Sequence, residues 1–132
     1  MTGQLELLQE VASQVSAEGG PPVAQALLAL RHYEHRFFVN QAGELLGTVF
    51  NRGPEVHMYV REGARGRAIT PRKLDMIFST MLAEYGYVTT RVRSGSDKIA
   101  FVTRMGFTPT WSDGLFDYFI LTHSRFGGKD QK

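Results

Sequence analysis

Residues 55–85 narrow the choice of fold more than any other stretch of this chain. EVHMYV (55–60) alternates, with Val56, Met58 and Val60 on one side and Glu55, His57 and Tyr59 on the other, which is the two-residue period of a β-strand. Thr70-Pro71 supplies a helix N-cap and a first helical residue in succession. Behind them Leu74, Ile77, Phe78, Met81 and Leu82 recur at helical spacing until Tyr85-Gly86. Burying that stripe contributes about 1.5–3 kcal/mol for each large side chain. A one-sided strand followed by a one-sided helix requires a sheet with helices packed on it.

The flanking segments extend the pattern. Residues 3–17 place Leu5, Leu8, Ala12 and Val15 on one helical face, and Glu18-Gly19-Gly20 ends that helix. Pro21-Pro22 opens a second helix with the stripe Val23, Ala26, Leu27 and Leu30. His35 to Gln41 and Leu45 to Phe50 read as strands joined through the turn Ala42-Gly43-Glu44, with Asn51-Arg52-Gly53-Pro54 as the next turn. Residues 61–70 are too rich in Gly and Arg for a strand or a helix. Tyr87 to Arg93 is β-branched and strand-like. Ser94 and Asp97 have capping-box spacing before a short helix running through Met105 to Gly106. Phe107 to Trp111 and Leu115 to Thr122 are the last strands, joined by Ser112-Asp113-Gly114. The expected order is two helices, three strands, helix, strand, helix and two strands. That makes an α+β (loosely α/β) fold, with a mixed, mostly antiparallel sheet flanked by about four helices.

The 132 residues suit one domain over 1–132, with a helical pair in 1–34 and a flexible tail over 124–132. Apolar residues make up 42% of the chain, enough for a real core. With no cysteine there are no disulfides, zinc ribbons or thiol nucleophiles. No apolar run approaches the length needed to cross a bilayer, and the first residues lack a secretory pattern. The cytoplasm is therefore the expected compartment. His32 and His35 stand three apart with no third ligand spaced to them, so no metal is expected. A net charge of +2 argues against a broad nucleic-acid groove. The aromatic residues Phe107, Trp111, Phe116, Tyr118 and Phe119 read as core.

Charge is concentrated in one place. Residues 61–73 hold Arg61, Arg65, Arg67, Arg72 and Lys73 against Glu62, a local charge of +4 between a strand and a helix N-terminus. Helix-terminal amides and arginine forks can hold a phosphate or pyrophosphate there. The same residues also make a solvated basic turn that caps a helix. Both readings stand on the sequence.

Three segments, taken in order, resemble one family. VREGARGRAITPRKL places Arg65, Ala68 and Thr70 at the positions of an Arg/Gln-x-x-Gly-x-Gly/Ala cofactor turn. GSDKIAFVTRMGF ends in Met105-Gly106-Phe107 and carries Phe101 before it, and FFVNQAGELLGTV forms a hairpin ahead of the central strand. From about Arg36 to the last strand the chain resembles the GCN5-related N-acetyltransferases (GNAT). The arginine-rich turn running into Thr-Pro also resembles divergent GNAT-like proteins of bacteriophages and prophages.

The resemblance implies an acetyl-CoA cosubstrate lying where the central strand parts from its parallel neighbour. Met58, Tyr59 and Val60 would pair with the pantetheine arm through their backbone. The amides of Arg65, Gly66, Arg67, Ala68, Ile69 and Thr70 would hold the pyrophosphate, although Pro71 lacks an amide hydrogen. The family's pantetheine-contacting Asn is Gly95 here, flanked by Ser94 and by Ser96, the residue left as a cofactor contact. A base must deprotonate the acceptor amine, and Glu55 and His57 on the central strand are the candidates. Each also reads as an ordinary strand residue. Val102 stands where the family has a tyrosine acid, and no spacing selects a substitute from Tyr85, Tyr87 and Tyr118.

Two functions follow from the resemblance. One is an N-acetyltransferase acting on an amine of a small molecule or protein. The other is a catalytically weak GNAT-fold binding protein, a phage effector docking on a host enzyme. The open edges of the final hairpin also offer a surface for a homodimer.

Overall fold

The computed structural model describes residues 2–64 and 69–123. Its elements are α1 (Thr2–Ala17), α2 (Val23–Leu30), β1 (Glu34–Val39), β2 (Leu45–Arg52), β3 (Glu55–Val60), α3 (Pro71–Tyr85), β4 (Val88–Arg93), α4 (Lys98–Arg104), β5 (Thr108–Ser112) and β6 (Phe116–Leu121). The order is the one the patterning predicts. A 3-10 turn, Glu62–Ala64, follows β3 in the segment expected to be irregular. Among the described residues the strands form one mixed sheet in the order β1-β2-β3-β4-β6-β5, with β3 and β4 parallel. By contacts the chain divides into two units, Met1–Arg52 with Met58–Ile69, and Gly53–His57 with Thr70–Lys132.

In the first unit, β1 and β2 pair antiparallel. Asn40 closes their connection, its side-chain oxygen accepting from the amides of Ala42 and Glu44, and Gly43 takes a φ of 84° that other residues avoid. Val11, Ala12, Ala26, Leu30 and Phe50 form the core, with Leu8, Val15, Leu27, Tyr33 and Tyr59 packed around it. Leu7 is fully buried, whereas Leu5 is 51% exposed. The buried face of α1 is therefore rotated from the expected stripe, because three leucines within four positions allow either side to face inward. Strand β1 begins one residue earlier and ends two earlier than expected, and β2 continues through Asn51 and Arg52. The extension is held by the Arg36 guanidinium, which donates to the buried Asn51 Oδ1 at 2.9 Å.

Helix α3 anchors the second unit. The Thr70 hydroxyl oxygen accepts from the Lys73 amide at 3.2 Å, and Gly86 ends the helix in the left-handed region. Leu74, Phe78 and Met81 are buried, with Phe78 edge-on to Phe107 at 5.3 Å between ring centres. Along β4, Val88 and Val92 are buried while Thr89, Arg91 and Arg93 point the other way. Helices α3 and α4 pack on β4. Helix α4 starts differently from the expected capping box. Ser94 Oγ donates instead to Asp117 at 2.8 Å, and Ser96 Oγ accepts from the Lys98 amide at 3.0 Å. The terminal strands start and stop within a residue of expectation.

Candidate functional site

Strand alternation brings Glu55 and His57 to one face of β3, and the structure joins them. His57 Nε2 lies 2.5 Å from Glu55 Oε2, with the two side chains 19% and 41% exposed. A carboxylate only accepts, so Nε2 carries the hydrogen of this contact. An imidazole oriented by a carboxylate is a general-base arrangement.

The start of β3 is tied to β4 within the second unit. The Thr89 amide donates to Pro54 O at 2.8 Å, Glu55 pairs with Thr89, and the Thr90 hydroxyl donates to Val56 O at 2.7 Å. A depression of about 290 Å³ opens beside Glu55, lined also by Thr89, Arg91, Trp111, Tyr118 and Ile120. The remainder of β3, Met58 to Val60, belongs to the first unit. There Gly47 lets the backbones touch, because a Cβ at that position would sit 2.5 Å from Tyr59 O.

The basic turn divides on inspection. Arg61, counted in its charge, is spoken for: Nε and Nη2 donate to the two Glu10 oxygens at 3.0 and 2.7 Å, and Nη1 donates to Leu45 O at 2.9 Å. This pairing holds the Glu10 carboxyl below its ordinary value, and Tyr59 OH adds a further hydrogen bond. Arg65, Gly66, Arg67 and Ala68 lie outside the described residues. At the head of α3, Pro71 has no amide hydrogen, the Lys73 amide is used by Thr70, and the Leu74 amide donates to Thr70 O. The first turn of α3 thus offers a phosphate the amides of Thr70 and Arg72.

Other predicted positions separate. Ser96 Oγ is engaged at the start of α4. Val102 is buried and can donate no proton. The Tyr118 hydroxyl donates to Asp113 Oδ2 at 3.0 Å. Asp113 also accepts from the Leu115 and Phe116 amides, and these bonds lower its pKa. The aromatic group is not one core: Phe107 and Phe119 are buried, but Trp111 is 60% exposed and stacked on Tyr118 at 4.8 Å. The run Thr108-Pro109-Thr110 ahead of Trp111 reads as an ordinary strand, which hides that exposure. Among the described residues no cluster of His, Asp or Glu could hold a metal, and no helix is long and apolar enough to cross a membrane.

No family model matches the sequence, and no curated protein matches it either. Solved structures do match. A spermidine N-acetyltransferase from Vibrio cholerae superposes with a TM-score of 0.65 at 8% identity, over 89% of this chain and 90% of the other. An acetyltransferase from Agrobacterium tumefaciens gives 0.66 at 17% identity, over 89% and 84%. Tetrahymena GCN5 gives 0.63 at 16% identity, over 93% and 90%. Identities this low carry no side-chain chemistry across. They leave a shared element order and a shared path of the backbone, and by that measure the chain has the fold of the GCN5-related N-acetyltransferases.

Proposed function

We propose that this protein transfers an acetyl group from acetyl-CoA to an amine, with the Glu55–His57 pair as the general base. The observation that carries the reading is that contact, at 2.5 Å, at the start of the strand leading to the basic turn. In the proposed reaction the acceptor ammonium loses a proton to the pair. The amine nitrogen then attacks the thioester carbonyl carbon, so that the C–N bond forms and the C–S bond breaks. The thiolate leaves, and the proton still carried by the attacking nitrogen is lost to solvent as the thiolate takes one from it, which suits a chain with valine at position 102 and a Tyr118 hydroxyl already committed to Asp113. Acetyl-CoA supplies the activated acyl group. Backbone groups of Met58, Tyr59 and Val60 would pair with its pantetheine arm. The amides of residues 65–70, with Arg65 and Arg67, would hold its pyrophosphate, and Ser96 is the further contact proposed near the pantetheine.

A second reading is a GNAT-fold protein with weak chemistry that acts by docking on another protein. The buried Val102 at the family's tyrosine position favours it. Calorimetric titration with acetyl-CoA, repeated with Arg65→Glu/Arg67→Glu, separates the two. Binding that is lost in the double variant, together with turnover of an amine, supports the enzyme. Absence of any binding overturns it in favour of the docking protein.

A further inference from the structure

The depression beside Glu55 lies wholly within the second unit, on the face of β3, β4, β6 and β5 away from the buried valines of β4. Register aligns its walls: Glu55 pairs with Thr89, Thr89 with Ile120, Arg91 with Tyr118, and Trp111 with Tyr118. At about 290 Å³ it stands at the small end of small-molecule sites.

Its chemistry is of both signs. Glu55 presents a carboxylate. Arg91 sits two residues further along the neighbouring strand, so the two backbone positions are about 8 Å apart from strand spacing and rise. Two long side chains at that separation can close on one small molecule. The Arg91 guanidinium lies over the Phe116 ring at 4.9 Å, and among the described residues no carboxylate pairs with it. Asp117 points to the opposite face and accepts from Ser94, while Asp113 is occupied by two amides and Tyr118. Arg93 follows Arg91 on the same face. Beyond Arg91, on β6 and β5, stands the stacked pair Trp111–Tyr118, with Trp111 largely exposed, a flat apolar wall.

Resting on the acetyl-transfer reading, we propose that this depression takes an acceptor bearing an amine and a carboxylate on an apolar body, an amino-acid-like zwitterion. Its ammonium is received by Glu55, its carboxylate by Arg91 through charge-assisted bonds, and its side group by Trp111 and Tyr118. A polyamine would bring its second cation against the Arg91 guanidinium, with which no carboxylate pairs among the described residues, and is disfavoured.

Trp111 is the chain's only tryptophan, so its fluorescence reports this site directly. The full chain, without acetyl-CoA, is titrated with L-phenylalanine, phenethylamine, phenylpropionate and spermidine, and the series is repeated in Arg91→Ala and Arg91→Lys. Phenylalanine should bind about tenfold or more tightly than the other three probes, as expected for gaining a hydrogen bond between charged groups. Arg91→Ala should reduce it to the level of phenethylamine, and Arg91→Lys should restore part of the difference. Equal binding of phenethylamine or spermidine, an unchanged Arg91→Ala variant, or no response to any probe overturns the proposal. Acetyl transfer to the same amines is measured in parallel. Transfer to spermidine but not phenylalanine sinks the zwitterion site and leaves the enzyme standing. Selective phenylalanine binding with no transfer to any amine upholds the site and sinks the enzyme.

Discussion

Arg61 grips both carboxylate oxygens of Glu10 across 51 residues of sequence. The pair ties α1 to the end of β3, at the point where the chain enters the basic turn. Because Nη1 also donates to Leu45 O, the guanidinium fastens the helix, β2 and β3 of the first unit together. This arginine belongs to the scaffold, and the charge available in the turn is correspondingly smaller.

The sign of its pH dependence follows from the lowered Glu10 pKa. A carboxyl held below its ordinary 4.5 in the folded state contributes stability above that value and loses it as pH falls through the folded pKa. Glu10→Gln should therefore lower the thermal midpoint at neutral pH. The gap to the parent protein should narrow below pH 4.5 and shrink with added salt, since both groups are about a third exposed. Thermal melts across pH read this directly, and a gap independent of pH would assign the effect to packing.

Gly47→Ala should destabilise the protein by about 1–3 kcal/mol, as overpacking does. The new Cβ would meet Tyr59 O at 2.5 Å and Val60 Cα at 3.1 Å, and both are backbone atoms that no rotamer change can move. Urea unfolding measures the loss. Because Tyr59 and Val60 are proposed to meet pantetheine, acetyl-CoA affinity should fall in the same variant.

Thr70→Ala removes the hydroxyl oxygen that accepts the Lys73 amide. A stability loss of about 1 kcal/mol is expected for a lost N-cap, seen as a lower unfolding midpoint with an unchanged denaturant slope. The uncovered Lys73 amide becomes available to an anion, so phosphate should protect this variant against heat more than it protects the parent.

His57→Ala should lower kcat for acetyl transfer by about 10²–10⁴-fold, the usual contribution of a general base, with the KM for acetyl-CoA little changed. Glu55→Gln keeps an oxygen that can accept from Nε2 but removes the negative charge, so a smaller loss is expected. Steady-state kinetics with a saturating amine make the comparison. A parallel fall in acetyl-CoA affinity would instead place the pair at the cosubstrate.

Much of the fold is legible where period and punctuation agree. Strand β3 and helix α3 occupy the residues expected of them because alternation, the Thr70-Pro71 start and the Gly86 stop are all local. That Glu55 and His57 share a face was legible for the same reason, since residues two apart on a strand do so, whereas their contact is a finding of the structure. Where local signals compete, the chain left the choice open. Ser94 has the spacing of a cap, yet it bonds Asp117, 23 residues away.

The sequence by itself determined the order of helices and strands, the face of β3 that carries Glu55 and His57, and the cap that starts α3. Tertiary structure alone decided that Leu7 rather than Leu5 is buried, that Arg61 is committed to Glu10, and that the exposed Trp111 lines one depression with Arg91 and Glu55. The division has a physical reason. Backbone period and capping act over a few residues and are written in neighbouring side chains. The partner of a charge or a ring is chosen by strand register and helix placement, which bring together residues that no local pattern relates.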